Sequence, residues 1–296
     1  MLADVAQSRI VRATSATLTF TGRDQYGEPG NPGTVTVQVV DSQGNDIKAA
    51  GTETATPTGA TNERTVTLTP AETAALDQLT ATWTSDDVVL EETIHDVVGG
   101  VYCALSELRG DGSAVKQRAD HPDVELIEDR TEVEYQFESV CNRAFVPRFA
   151  VDVIDRRHRS SDELILYWPD LRRVVWAQYW TGSAWAAVTV DVTSCEPNGS
   201  GIAVLASGCW PTSRLRVGYE YGWDRPPPDM RRAAIKATRS RRHADRAGID
   251  DRAVSINIPD VGTMQLATPG RSIWVTAIPE VDEVLNRYKF HRFGKA

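Results

Sequence analysis

The sequence is poor in cysteine, histidine and methionine, and it has no long apolar run. Its four cysteines, Cys103, Cys141, Cys195 and Cys209, show no CxxC spacing. A chain of 296 residues can bury enough core to fold without disulfides, so reduced, mostly buried thiols are expected. The five histidines, His95, His121, His158, His243 and His291, are scattered, with no zinc-ligand spacing and no HExxH. A glycine-rich phosphate loop and a GxSxG elbow are also missing. An enzyme therefore has no positive support, and no catalytic residue, metal ligand or cofactor is expected. No apolar stretch approaches the roughly 20 residues that cross a bilayer. The N-terminal MLADVAQSRI has neither the basic leader nor the apolar core of a signal peptide, which predicts synthesis in the cytoplasm and no membrane contact.

Charge of one sign is scarce at each end of the chain. Residues 1–100 carry 5 Lys+Arg against 14 Asp+Glu, residues 101–226 carry 14 against 19, and residues 227–296 carry 13 against 8. An acidic protein with a basic end suits a charged partner, although this surplus is small for a nucleic-acid binder.

The basic end is organised around Pro226-Pro227-Pro228-Asp229 and the helix it launches, predicted over 229–247. The prolines fix φ ahead of the helix, and Asp229 suits its first turn. Met230, Ala233, Ala234, Ala237, Ala244 and Ala247 give a narrow stripe of mostly small side chains against which another helix can pack closely. Arg231, Arg232, Lys236, Arg239, Arg241 and Arg242 form the basic face. An acidic helix is predicted over 122–143, starting at His121-Pro122, with Leu126, Val133, Phe137, Val140, Cys141 and Ala144 as its apolar face. Glu125, Glu128, Glu132 and Glu138 make an acidic partner face for the arginines. Glu125, Glu128, Asp129 and Glu132 share one side of that helix, where carboxylates in principle bind a cation or act as acid and base; a solvated or salt-bridged stripe is the plainer reading. The two charge runs are either solvated faces or a site of association between subunits.

Residues 9–98 read as short alternating strands, among them 17–20, 34–40, 64–68, 79–83 and 88–94, separated by turns such as Asp41-Ser42-Gln43-Gly44-Asn45. This predicts an immunoglobulin-like or fibronectin-like β-sandwich, with a helical turn beginning at Thr69-Pro70-Ala71-Glu72. Gly99-Gly100 marks a boundary, so the expected domains are 1–99 and 100–296. A short helix over 103–109 leads to the acidic helix. Residues 146–223 then read as an antiparallel insertion, with Trp180-Thr181-Gly182-Ser183-Ala184-Trp185 as one hairpin. Trp168, Trp176, Trp180, Trp185, Trp210 and Trp223 crowd the insertion, as core and contact aromatics or as stacking platforms for sugars or bases. Beyond the basic helix, 254–259 and 262–266 form a hairpin or an extended arm. A last helix spans 280–288, and the tail 289–296 is basic and aromatic. The fold class is α+β.

The order of parts resembles the head-to-tail adaptor (head–tail connector) proteins of long-tailed bacteriophages, especially those of actinobacterial hosts. The pieces that carry it are the short helix VYCALSELR, the acidic helix ending in CNRAFVPR, the run VGYEYGWDRPPPDMRRAAI and the closing TPGRSIWVTAIPEVDEVLNRYKF. The resemblance covers residues 101–296, and the N-terminal sandwich departs from it as an added surface domain. It implies a homo-oligomeric ring, usually twelvefold, between portal and stopper or tail-terminator. Phage DNA would pass through without sequence-specific contact. The location would be the head–tail interface of the virion, after assembly in the host cytoplasm. The basic face would line the channel or meet the neighbouring subunit's acidic face. Lys289, Phe290, His291, Arg292, Phe293 and Lys295 would be a portal-docking tail with the two phenylalanines as anchors. A secreted or surface carbohydrate-binding β-sandwich protein is the alternative from another class.

Overall fold

The computed structural model describes residues 7–23, 30–49, 56–57, 62–86, 88–110, 113, 115–156, 161–192, 195, 199–244, 255–258, 262–265, 276 and 278–291. The chain divides into two compact units, Met1–Gly100 with Val146–Gly222 and Val101–Phe145 with Trp223–Ala296. The expected border at Gly99-Gly100 is thus one of three crossings, and the β insertion belongs with the sandwich rather than with the helices.

The first unit begins with strands β1 (Gln7–Val11), β2 (Ala16–Thr21), β3 (Thr36–Val40), β4 (Asp46–Lys48), β5 (Thr56–Pro57), β6 (Glu63–Leu68), β7 (Asp77–Ser85) and β8 (Val88–Val98). One sheet runs β1-β8-β7-β3-β4 and the other β2-β6-β5. Among the described strands of the sandwich, every pair is antiparallel except β1 with β8. With β2, β6 and β5 taken as strands B, E and D, and β8, β7, β3 and β4 as G, F, C and C′, this is an immunoglobulin-like sandwich. The alternation along β6 and β7 turns Val66, Leu68, Leu79, Ala81 and Trp83 inward. They meet Leu18, Phe20, Val37 and Val39, and Phe20 stacks on Trp83 with ring centroids 5.6 Å apart. At the turn before β7, the buried Thr73 hydroxyl donates to the Thr14 carbonyl at 2.7 Å. It ties the turn to the sheet in the absence of a tyrosine corner.

The insertion holds β9 (Arg148–Asp155), β10 (Glu163–Ile165), β11 (Leu171–Trp180), β12 (Trp185–Ala187), β13 (Ile202–Val204) and β14 (Arg214–Tyr221). Four of these form an antiparallel sheet in the order β12-β11-β14-β9, and β10 pairs with β13. The expected Thr181-Gly182 hairpin joins β11 to β12: the Thr181 N–H donates to the Ala184 carbonyl at 2.9 Å, and Gly182 takes a φ of 105°. Asn198 lies outside the described residues. Trp210 and Tyr219 are fully buried and Trp176 nearly so, while Trp180 is exposed. Trp168, Trp185 and Trp223 are half-buried, so the tryptophans are core in part only. Gly218 leaves room for the Trp176 indole, which a Cβ there would strike. Among the contacts that fix the insertion to the sandwich, two are hydrogen bonds to backbone carbonyls. The Gly99 N–H donates to the Pro147 carbonyl at 2.8 Å, and the Arg216 guanidinium donates to the Ser42 carbonyl.

The second unit is built from α1 (Leu105–Leu108), α2 (Asp123–Cys141), α3 (Pro228–Ala244), α4 (Pro279–Tyr288) and a hairpin of β15 (Ser255–Ile258) with β16 (Gly262–Gln265). Pro228 opens α3 because its missing N–H is unneeded in a first turn. Asn142 closes α2 in the left-handed region with φ 51°, a conformation asparagine tolerates. The expected apolar face of α2 is buried at Leu126, Val133, Phe137 and Cys141, and Val140 is half-buried. Asp129, Arg130, Glu134 and Glu138 are buried as well, so the polar side of α2 is not simply a solvated face. Cys103, Cys141 and Cys195 are buried free thiols, and Cys209 is an exposed one.

Candidate assembly faces of the helical unit

The helical unit closes around a charge clasp between α2 and α3. Three acids of α2 at i, i+4 and i+7, Glu125, Asp129 and Glu132, share the side that faces α3. Arg242 pairs with Glu125 and approaches Asp129 at 3.8 Å, and Arg241 pairs with Glu132 and approaches Asp129 at 3.7 Å. Asp129 and Arg242 retain only 11% and 15% of their side-chain exposure, which sets this cluster apart from ordinary surface pairs. Beneath it, Met230, Ala233, Ala234 and Ala237 are buried. The small side chains of the three alanines let the helices come close enough for the arginines to reach across.

The other cations of α3 serve α1 and α4. Arg231 pairs with Glu107 at 2.5 Å. Burial works against the Glu107 carboxylate, but the Ala104 N–H and Arg231 outweigh it and hold its pKa below the usual range. Arg239 donates to the carbonyls of Leu108 at 3.0 Å and Glu107 at 2.7 Å, which satisfies the open end of α1. Lys236 meets Glu280 at 2.9 Å in an exposed pair. Arg232 is exposed, and among the described residues no ion pair holds it.

A second cluster fixes the points where the chain leaves for the insertion and returns from it. The Trp223 N–H donates to the Ala144 carbonyl at 3.2 Å. Phe145 packs edge-to-face on Tyr102, Trp223 and Tyr288 at 5.8, 5.7 and 5.6 Å. The Tyr102 N–H donates to Glu134 at 2.7 Å and its hydroxyl to Glu138 at 3.1 Å. Asp229 accepts from its neighbour Met230 N–H, from the Tyr288 hydroxyl and from Arg287, each at 2.9 Å, and so joins α4 to the start of α3.

The sequence-predicted residues thus part company. Glu125 and Glu132 meet Arg242 and Arg241 within one chain. Glu138 lies under Tyr102 instead, and Glu128 is exposed on the outer side of α2. Of the tail, Lys289 and His291 are exposed. Phe290 does not stand free as a partner anchor: its N–H donates to the Cys141 carbonyl at 2.7 Å and Arg143 lies over its ring at 5.6 Å. It closes the otherwise open C-terminal carbonyls of α2. Arg292, Phe293 and Lys295 lie outside the described residues. Sequence reasoning missed Tyr102 and Arg109. Arg109 donates to Asp123 and to the His121 carbonyl, both at 2.6 Å, and so pins the loop ahead of α2. A cation directly before the Gly110-Asp111-Gly112 turn was the available signal. Among the described residues no cluster of His, Cys, Asp and Glu has metal-site geometry.

No family model matches this chain, and no curated protein does. Among solved structures it is similar to the virion of a native gene transfer agent (GTA) particle, with TM-score 0.43 and 13% identity over 64% of this chain and 89% of the other. It is similar to the neck of a native GTA particle computed with C12 symmetry, with TM-score 0.39 and 14% identity over 68% and 98%. A shorter likeness, 32% of this chain and 83% of the other, is to the ZIG-8–RIG-5 IG1–IG1 heterodimer, with TM-score 0.23 and 14% identity. None of these likenesses, all below a TM-score of 0.5, carries an assignment by itself.

Proposed function

We propose that the chain is a non-catalytic virion structural protein, a head-to-tail adaptor whose copies form a ring between the portal and the stopper or tail, around the path of the DNA. One observation carries the reading. The two helices that the sequence resemblance would place in a ring wall, α2 and α3, gather with α1 and α4 into one compact unit although the β insertion separates them in sequence. The charge clasp and the aromatic cluster give that unit a fixed shape, as a wall segment repeated around a ring requires.

The clasp also bears on the channel. Five of the six cations proposed for the basic face, Arg231, Lys236, Arg239, Arg241 and Arg242, are engaged within the chain. Such a surface grips passing phosphates little, which suits a conduit. Contact with DNA is expected to be weak, independent of sequence and steeply reduced by salt. Portal docking falls to the tail beyond His291, with Phe293 as its apolar anchor and Arg292 and Lys295 steering it to an acidic surface.

Negative-stain imaging and mass photometry of the purified full chain, alone and with the portal ring, test the reading. Closed rings of about a dozen copies seated on the portal are expected. A protein that stays monomeric and ignores the portal refutes it. Removing residues 292–296 is expected to leave the melting temperature unchanged and to abolish capture by the portal.

A further inference from the structure

After α2 has met α3 and the core, one side of its first two turns is left over. Val124 is 65% exposed and Ile127 39%, and they are the exposed large hydrophobics of the helical unit among the described residues. Glu128 stands one turn beyond Val124 on the same side and is exposed. Of the other acids nearby, Asp123 pairs with Arg109, and Glu125, Asp129 and Glu132 point round the helix to Arg241 and Arg242.

A complementary leftover occurs on α3. Arg232 is exposed without an ion pair among the described residues, and Lys236, one turn on, holds Glu280 only through a pair 52% and 71% exposed. Exposed pairs of this kind contribute little and exchange partners readily. Half-buried Ile235 lies beside Arg232, and the aliphatic stems of the arginine and the lysine extend its apolar surface.

We infer that these two faces meet between copies: Val124, Ile127 and Glu128 of one subunit dock on Arg232, Ile235 and Lys236 of the next. The inference rests on the adaptor reading and names the contact that would close its ring. Charge decides the occupant. An apolar pair beside a carboxylate fits an apolar residue flanked by cations, and among the described residues neither Glu128 nor Arg232 has an ion-pair partner in its own chain. The faces are different patches of one unit, so the contact is heterologous. It propagates head to tail and leaves no self-complementary dimer as an end point. Glu128 set between Arg232 and Lys236 also orients the approach of the two faces.

The test is a charge exchange in the full chain. Glu128→Arg and Arg232→Glu are made singly and together, with Val124→Asp as an apolar probe. Thermal melts by circular dichroism check that each variant folds. Mass photometry then gives the fraction assembled, with and without portal. Each single variant and Val124→Asp should assemble at least about tenfold less, which corresponds to about 1.4 kcal/mol. The double exchange should return to within about twofold of wild type. Single variants that fold and form normal rings overturn this surface while the adaptor reading stands. A double exchange worse than both singles overturns it too. If Val124→Asp spares the ring and loses only portal binding, the patch belongs to the portal and the inference fails. Wild-type protein that never assembles removes the adaptor reading and this contact together.

Discussion

Replacing Asp129 by alanine measures how far the helical unit depends on its charge clasp. The carboxylate lies 3.7 Å from Arg241 and 3.8 Å from Arg242, with 11% of its side chain exposed. At an effective dielectric near 20, a unit pair at this separation attracts by roughly 4 kcal/mol before desolvation. Desolvation cancels much of that, and stripping one partner from a fully buried pair costs roughly 3–5 kcal/mol. Here Glu125 and Glu132 remain beside the two guanidiniums, so the expected loss is smaller, about 2 kcal/mol, or about 4–8 °C in melting temperature. Asp129→Asn, which keeps the shape, should lose nearly as much. Urea unfolding followed at 222 nm reads the helices directly. Glu280→Ala, which removes the exposed partner of Lys236, is the comparison and should leave the midpoint unchanged. The Asp129 penalty should also persist at 0.5 M salt, because buried pairs are screened little. A loss no larger than that of Glu280→Ala, or one that disappears with salt, would show that the clasp is a set of independent surface pairs.

His95 in the sandwich is held between the hydroxyls of Ser8 at 2.6 Å and Thr93 at 2.9 Å, and burial pushes its pKa down to about 4. The native ring stays neutral while the unfolded chain takes a proton near 6.5. Its contribution is therefore complete above pH 6.5 and is lost as the pH falls toward 4, by about 3 kcal/mol in all. Urea midpoints of wild type and His95→Gln should converge over that range, and parallel pH profiles would refute the assignment. Gly218→Ala drives a Cβ into the Trp176 indole and should cost about 1–3 kcal/mol. A variant with unchanged stability and near-ultraviolet dichroism would show that the ring moves aside freely. Asp229→Ala removes the acceptor shared by Tyr288 and Arg287 and should raise hydrogen exchange across 279–288 while sparing α2; unchanged exchange in α4 would exclude its docking role.

The sequence disclosed what depends on local period. Alternation marked β2, β6 and β7 closely, and the triple proline marked the start of α3. The pairing of β1 with β8 was not legible, because strands so far apart in sequence meet through the fold alone. Nor was the attachment of the insertion to the sandwich. It rests on the close approach of Gly99 to Pro147 and on a carbonyl of Ser42, neither of which has a compositional signature. At the candidate faces, both charge runs were plain, but their phase was not. Which acids turn toward α3 depends on how Leu126, Val133 and Phe137 seat α2. Glu138 and Phe290 were misplaced for one reason: each satisfies a group that only the folded chain brings near, the Tyr102 hydroxyl in one case and the Cys141 carbonyl in the other.

The hydrogen bond from Trp223 to Ala144 makes residues 145–222 a closed loop whose two feet stand side by side. To the helices such a loop is a single closure event, and doubling its length adds only about 0.6 kcal/mol of entropy. Sheet size on that stalk is therefore nearly free to drift between related chains, provided Phe145 and Trp223 keep their edge-to-face contact. A short glycine-containing bridge from Phe145 to Trp223 would close the helical unit without the insertion, and a foreign domain with adjacent termini could take its place.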